Sequence, residues 1–173
     1  MAPTSFGRMN ALFSSPDLPA LRVAIAADID AMAALIHSIL QSLELSPTRE
    51  RIVADLTAII ATGQTTGEGA WVLTDIAGRI IGTVALRRVD KHTVELQKMY
   101  LDPRWRGRGL GRRLLDHGWA AAHDFGYQRM VLDTSERMTT ALAMYRARGF
   151  TPIDRRDPWS HCDLAFERKL NDS

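Results

Sequence analysis

Ten residues constrain this chain more than any others. The stretch from Arg104 to Arg113 holds glycines at 107, 109 and 111 together with five arginines. It stands between an apolar extended run, Val94 to Leu101, and a helical pattern, Leu110 to Phe125. Glycine lacks a Cβ and tolerates positive φ, so backbone amides in such a turn can come close to a ligand. The first turn of a helix leaves amides unpaired and carries partial positive charge, which suits a phosphate or pyrophosphate. A strand, a glycine-rich turn and a helix in that order make an anion cradle.

Spacing decides which cradle. The phosphate-binding loop of nucleotide triphosphatases needs Lys-Ser or Lys-Thr after its last glycine, and neither follows here. The dinucleotide fingerprint needs a third glycine at position 112, which is Arg112. Asp133, at the end of the next strand, could imitate the ribose-binding acid of that fold and keeps it as a minor alternative. The pattern that fits is Arg106-x-x-Gly109-x-Gly111. It resembles the Gln/Arg-x-x-Gly-x-Gly/Ala element with which the GNAT superfamily of N-acetyltransferases holds the pyrophosphate of acetyl-CoA. Glu95 to Pro103 before the loop and Ala141 to Phe150 after it look like flanking elements of the same superfamily. The resemblance runs from about residue 70 to residue 153.

Composition excludes several other classes. Hydrophobic residues make up 46% and charged residues 24% of 173, a balance typical of a globular protein with one sizeable core. Net charge is only +2, so basic character is local to the loop. A compact anion suits that better than a nucleic-acid track, which needs an extended basic face. No apolar run reaches membrane-spanning length, and the single cysteine, Cys162, excludes an internal disulfide and suits a reducing compartment. The cytoplasm is the expected location. Residues 1–19 read as a loosely ordered leader, and 20–173 as a single domain.

Along the chain, Leu21–Ile25 reads as a strand, followed by Asp28 as N-cap of a helix whose face holds Ile29, Met32, Ala33, Ile36, Leu40 and Leu43. Ser46-Pro47 is expected to start a second helix, with its core face from Ile52 to Ile60 and Gly63 as its stop. Ala70–Asp75 and Arg79–Arg88 read as a hairpin. The strand 93–101 slips phase: Val94 and Leu96 alternate, but the apolar positions resume at Met99 and Leu101. Strand side chains repeat every two residues, so a β-bulge near Gln97–Lys98 is needed to return Leu96, Met99 and Leu101 to one face. Helix 110–125, strand 129–134, helix 139–148 and strands 150–153 and 162–169 complete the pattern, with strand 129–134 parallel to the bulged one.

The resemblance implies an α/β fold of GNAT type: a mixed, mostly antiparallel central sheet with a splayed parallel strand pair, flanked by helices on both faces. It implies acetyl-CoA as cosubstrate, held by Arg106, Gly107, Arg108, Gly109, Leu110, Gly111 and Arg112. Leu101 would bond the pantetheine arm, and the Met99 amide, freed at the bulge, would bind the thioester oxygen. Tyr145 matches the tyrosine the family places beside the sulfur as general acid; its other reading is a helix tyrosine packed on the sheet. Many members carry asparagine seven residues before that tyrosine, where this chain has Met138; Thr134, Ser135 or Thr140 could substitute.

Glu95 is the candidate base. By alternation it faces away from Val94 and Leu96, and a desolvated carboxylate there could take an amine's proton through water. A solvated or salt-bridged glutamate, paired with Lys98 or Arg87, is the equal alternative. Cys162 reads as inert packing on a core strand. His117 and His123, six apart, do not share a metal-ligand spacing, and no metal cluster is evident. The reading is an N-acetyltransferase acting on a primary amine of a small molecule or peptide. A non-catalytic acyl-CoA-binding or sensing module on the same fold is the alternative. The first two helices and the connection 154–161, with Pro158 and Trp159, would set selectivity. The leader and that connection are also where a homodimer could form.

Overall fold

The structure is a computed structural model and describes residues 18–63, 66–154 and 162–170. Residues 1–17 of the expected leader and 155–161 of the connection lie outside the described residues. The chain forms β1 (Ala20–Val23), α1 (Ile29–Ser42), α2 (Arg49–Thr62), β2 (Gly69–Thr74), β3 (Ile80–Arg88), β4 (Thr93–Leu101), α3 (Leu110–Asp124), β5 (Arg129–Thr134), α4 (Thr139–Ala147), β6 (Thr151–Ile153) and β7 (Leu164–Lys169). The strands make one sheet in the order β1-β2-β3-β4-β5-β7-β6. Every neighbouring pair is antiparallel except β4–β5, which are parallel because α3 crosses between them. This is the mixed, helix-flanked sheet expected from sequence.

The two faces of the sheet carry separate cores. On one, Met32, Ile36 and Leu40 of α1 and Ile52, Leu56 and Ile59 of α2 pack over Val72 and Ala85. On the other, Leu114, Leu115 and Ala122 of α3 and Leu142 and Tyr145 of α4 pack on Val84, Leu86, Val94 and Leu96. Gly118 brings α3 down onto β3 and β4: a Cβ there would meet Leu96 Cδ1 at 2.8 Å and Val84 Cγ2 at 3.5 Å.

Three local expectations need correction. Asp28 stands at the N-cap position of α1, but its carboxylate makes no cap bond to the helix. It accepts from both Arg22 guanidinium nitrogens, at 2.7 and 2.8 Å, and from the Ile25 amide at 2.8 Å. An arginine two-pronged onto a carboxylate outcompetes a single cap bond. The second helix does not begin at Ser46-Pro47 but at Arg49, because Thr48 Oγ1 accepts from the Arg51 amide and caps it. Finally, β7 begins at Leu164, so Cys162 is not a core-strand residue.

Candidate active site

The phase slip in β4 is a bulge, one residue further on than expected. Gln97 pairs with Ala85 and Tyr100 with Thr83, so Lys98 and Met99 together oppose Val84 alone. Lys98 takes the left-handed φ of +49° that lets the strand bulge. Its carbonyl accepts from Thr83 Oγ1 at 2.6 Å, and its ammonium meets Asp55 Oδ2 of α2 at 2.8 Å. Beyond the bulge the facing is as the hydrophobic pattern demanded: Leu96, Met99 and Leu101 share the α3 face, and Tyr100 turns to the α1–α2 face.

On its other edge β4 parts from β5. The parallel ladder runs only from Thr93↔Arg129 to Glu95↔Val131, though β4 continues to Leu101 and β5 to Thr134. Past that point the strands share no ladder, and a gap opens. A cavity of about 330 Å³ runs from the glycine loop along Met99 and Leu101. A second, of about 450 Å³, lies on the α1–α2 side against Glu95, Lys98, Asp133 and Cys162.

The glycine loop forms one wall of the first cavity. Gly107 and Gly109 take φ of +75° and +76°, and Gly109 is the N-cap of α3 with no side chain closing the helix end. A Cβ at either would meet nothing within 4 Å, so conformation, not space, asks for glycine there. The open first turn of α3 therefore presents its amides and positive helix end to the cavity. Arg106, Gly107, Gly109, Gly111 and Arg112 line it. The other arginines are spent elsewhere. Arg104 grips Asp102, Arg108 lies over the Trp105 ring at 4.9 Å from its centroid, and Arg113 Nη1 donates to the Pro19 carbonyl. Leu110 puts its side chain in the core, leaving only its amide to serve the cradle.

Glu95 is buried, lies across from Arg87 in the β3–β4 register and faces the second cavity. Tyr145 is buried in the α3-face core and meets Phe150 edge-on at 5.9 Å. Burial first, then the nearby Cys162 thiol, push its phenol well above the ordinary range, so it holds its proton. Cys162 is half-buried and lines the second cavity, a correction to its reading as inert core. Met138 lines the first cavity and takes the Thr134 hydroxyl at 3.4 Å, while Ser135 Oγ is used by the Arg137 amide. Of the three proposed substitutes for asparagine, only Thr140 borders the cavity. His117 packs edge-on against Trp71, and burial with the Arg113 charge lowers its pKa; it borders neither cavity.

Tyr100 was not singled out from sequence, although the same phase slip that exposed the bulge places it opposite Met99. Ile39 and Arg137 were missed as well. They reach the cavity from distant segments, and Arg137 is held there by the Leu43 carbonyl at 2.8 Å and Glu44 at 2.9 Å.

A bulged strand splayed from its parallel neighbour beside a glycine-capped helix is an acyltransferase architecture. Residues 36–150 match the acetyltransferase (GNAT) family, and the chain belongs to that family as an acetyl-CoA-dependent N-acetyltransferase. It is 29% identical over 145 residues to the uncharacterized N-acetyltransferase YjgM of Escherichia coli (strain K12), covering 81% of this chain and 86% of that protein. A GNAT-family acetyltransferase from Staphylococcus aureus Mu50 shares the fold, with a TM-score of 0.78 and 23% identity over 88% of this chain and 99% of the other. So does yncA of Salmonella typhimurium, solved with its cofactor acetyl-CoA, with a TM-score of 0.66 and 22% identity over 90% and 95%.

Proposed function

We propose that this enzyme transfers the acetyl group of acetyl-CoA directly to a primary amine of a small molecule or peptide. The observation that carries the reading is one continuous path. It leads from the open amides of α3 along the bulged edge of β4 toward the gap beside β5; Glu95 borders the second cavity across the sheet, and Tyr145 lies in the α3-face core behind the first, bordering neither. The residues fit the cosubstrate: Arg106, Arg112 and the α3 amides are suited to a pyrophosphate, and the Met99–Leu101 edge to an extended arm. Acetyl-CoA brings the acyl group as a thioester.

The chain's own groups divide the remaining work. The Met99 amide, outside the β3 ladder, donates to the thioester oxygen as charge develops there. Glu95 takes the proton released when the amine nitrogen bonds to the acyl carbon, directly or through water. Tyr145 gives a proton to the sulfur as the carbon–sulfur bond breaks. Its burial keeps that proton in place at neutral pH, and the proton is regained from solvent after release. The acceptor occupies the cavity bordered by Glu95, Asp133 and Lys98. A reducing compartment such as the cytoplasm is supported by the single thiol, Cys162.

Purified protein mixed with acetyl-CoA, a thiol reagent and an amine panel tests the assignment. Free CoA should appear with at least one amine, and Tyr145→Phe should slow it while calorimetric acetyl-CoA binding persists. Absence of acetyl-CoA binding ends the reading. Tight binding without turnover, unchanged by Tyr145→Phe, supports the acyl-CoA-sensing alternative instead.

A further inference from the structure

Two cavities meet at one side chain. Tyr100 is the one described residue that borders both the cosubstrate cleft, of about 330 Å³, and the acceptor chamber, of about 450 Å³. The bulge puts it there. With Lys98 and Met99 together opposite Val84, the next residue turns to the α1–α2 face while Met99 and Leu101 remain on the other. Its ring packs against the core of that face, beside Ile39 and Leu43 on the cleft side and Leu40 and Ile52 on the chamber side.

Tyr100 borders the cleft together with Met99 and Leu101, and the chamber together with Glu95, Asp133 and Cys162. After burial, the groups that act on its hydroxyl are Cys162, on the chamber wall, and Tyr145, whose ring belongs to the opposite face of the sheet. Tyr100 stands between Met99 and Leu101 with its ring on the opposite face, so it forms the wall of the cleft next to the Met99 amide, beside which the acyl group would lie.

We propose that Tyr100 is the acyl-length gauge of this enzyme: its ring partitions the cleft from the chamber and limits the acyl group to two carbons. The inference rests on the acetyltransferase reading and deepens it. A methylene added against a fixed apolar wall costs about 10- to 200-fold in kcat/KM. The wild-type enzyme should therefore prefer acetyl-CoA to butyryl-CoA, two methylenes longer, by roughly 100-fold or more. Removing the ring joins the two cavities. The acetyl-to-butyryl ratio of Tyr100→Ala should fall to about tenfold or less, within the cost of one methylene. Tyr100→Phe, which keeps the ring, should retain the wild-type ratio.

The test is kcat/KM for acetyl-, propionyl- and butyryl-CoA with one amine, for wild type and these two variants. A merely structural role for Tyr100 moves all three acyl groups together, so an unchanged ratio in Tyr100→Ala overturns the proposal. So does a relaxed ratio in Tyr100→Phe, which would assign selectivity to the hydroxyl. If Tyr100→Ala does not fold, Tyr100→Leu replaces it, and calorimetric binding of butyryl-CoA relative to acetyl-CoA gives the same comparison. Failure of the wild type to turn over acetyl-CoA with any amine would fall on the function itself. Turnover with no acyl preference would fall on the gauge alone.

Discussion

The left-handed Lys98 can be separated from its ion pair by two substitutions at one position. A non-glycine residue at φ of +49° carries about 1–2 kcal/mol of backbone strain. Its ammonium, with the side chain 15% exposed, is held 2.8 Å from Asp55, 32% exposed. That geometry lies between a surface pair, worth about 0–1 kcal/mol, and a buried pair whose breaking costs about 3–5 kcal/mol, so about 1–2 kcal/mol is the working value. Lys98→Ala loses the pair and keeps the strain. Lys98→Gly loses the pair and sheds the strain, but gives back about 0.5–1 kcal/mol to the unfolded chain's added freedom. Stability should therefore run wild type, then Gly, then Ala, with glycine about 0.5–1 kcal/mol above alanine. At about 2–4 °C per kcal/mol for a chain of this size, the midpoints of Gly and Ala should differ by about 1–4 °C. Urea unfolding followed by circular dichroism reads the order, and Asp55→Ala with the β4 backbone untouched removes this pair together with the 3.5 Å Arg51–Asp55 pair, which Arg51→Ala reports by itself. An alanine variant as stable as the glycine variant would refute the claim that strain is stored at the bulge.

Three further outcomes follow from the same geometry. Asp28 is held below its ordinary carboxylate value chiefly by the Arg22 hydrogen bonds, against the opposing effect of burial. Its contribution is present above about pH 4 and lost as pH falls through the lowered folded value; Asp28→Asn should flatten the thermal midpoint against pH in that acid range. Arg106→Ala should weaken acetyl-CoA binding by about tenfold or more, the worth of a charge-assisted hydrogen bond. Arg108→Ala, whose guanidinium is stacked on Trp105, should lose less, as calorimetry can compare. Gly109→Ala should cost about 1–2 kcal/mol because of its φ of +76°, whereas Gly111→Ala, whose Cβ would sit 3.8 Å from Met144 Sδ, should leave the unfolding midpoint nearly unchanged.

What was legible in the chain was local periodicity and what it forces. Helix 110–125 and strand 129–134 follow from spacing alone, and so does the bulge, because a slipped phase in a buried strand has few remedies. Choices between competing partners were not legible. Asp28 looks like a cap until Arg22 arrives from the neighbouring strand. The arginines of the glycine loop look alike until Asp102, Trp105 and Pro19 claim three of them; Arg106 and Arg112 line the cleft, Arg112 also lying 3.8 Å from Asp116. The insertion of β7 between β5 and β6, and hence the place of Cys162 beside the gap, depends on long-range pairing that no local pattern encodes.

One extra residue in β4 accounts for the relation between these parts. Without it, Met99 would fall on the α1–α2 face and Tyr100 on the α3 face, and no edge would lead from the helix end to the gap. With it, the strand turns Met99 and Leu101 toward the first cavity and the Tyr100 phenol toward the α1–α2 face, and removes Lys98 and Met99 from the β3 register. Asp55 and Thr83 then tie the bulged residue from two other elements. A bulge held from both sides does not migrate along the strand, so a site that depends on the direction of three consecutive side chains keeps its register.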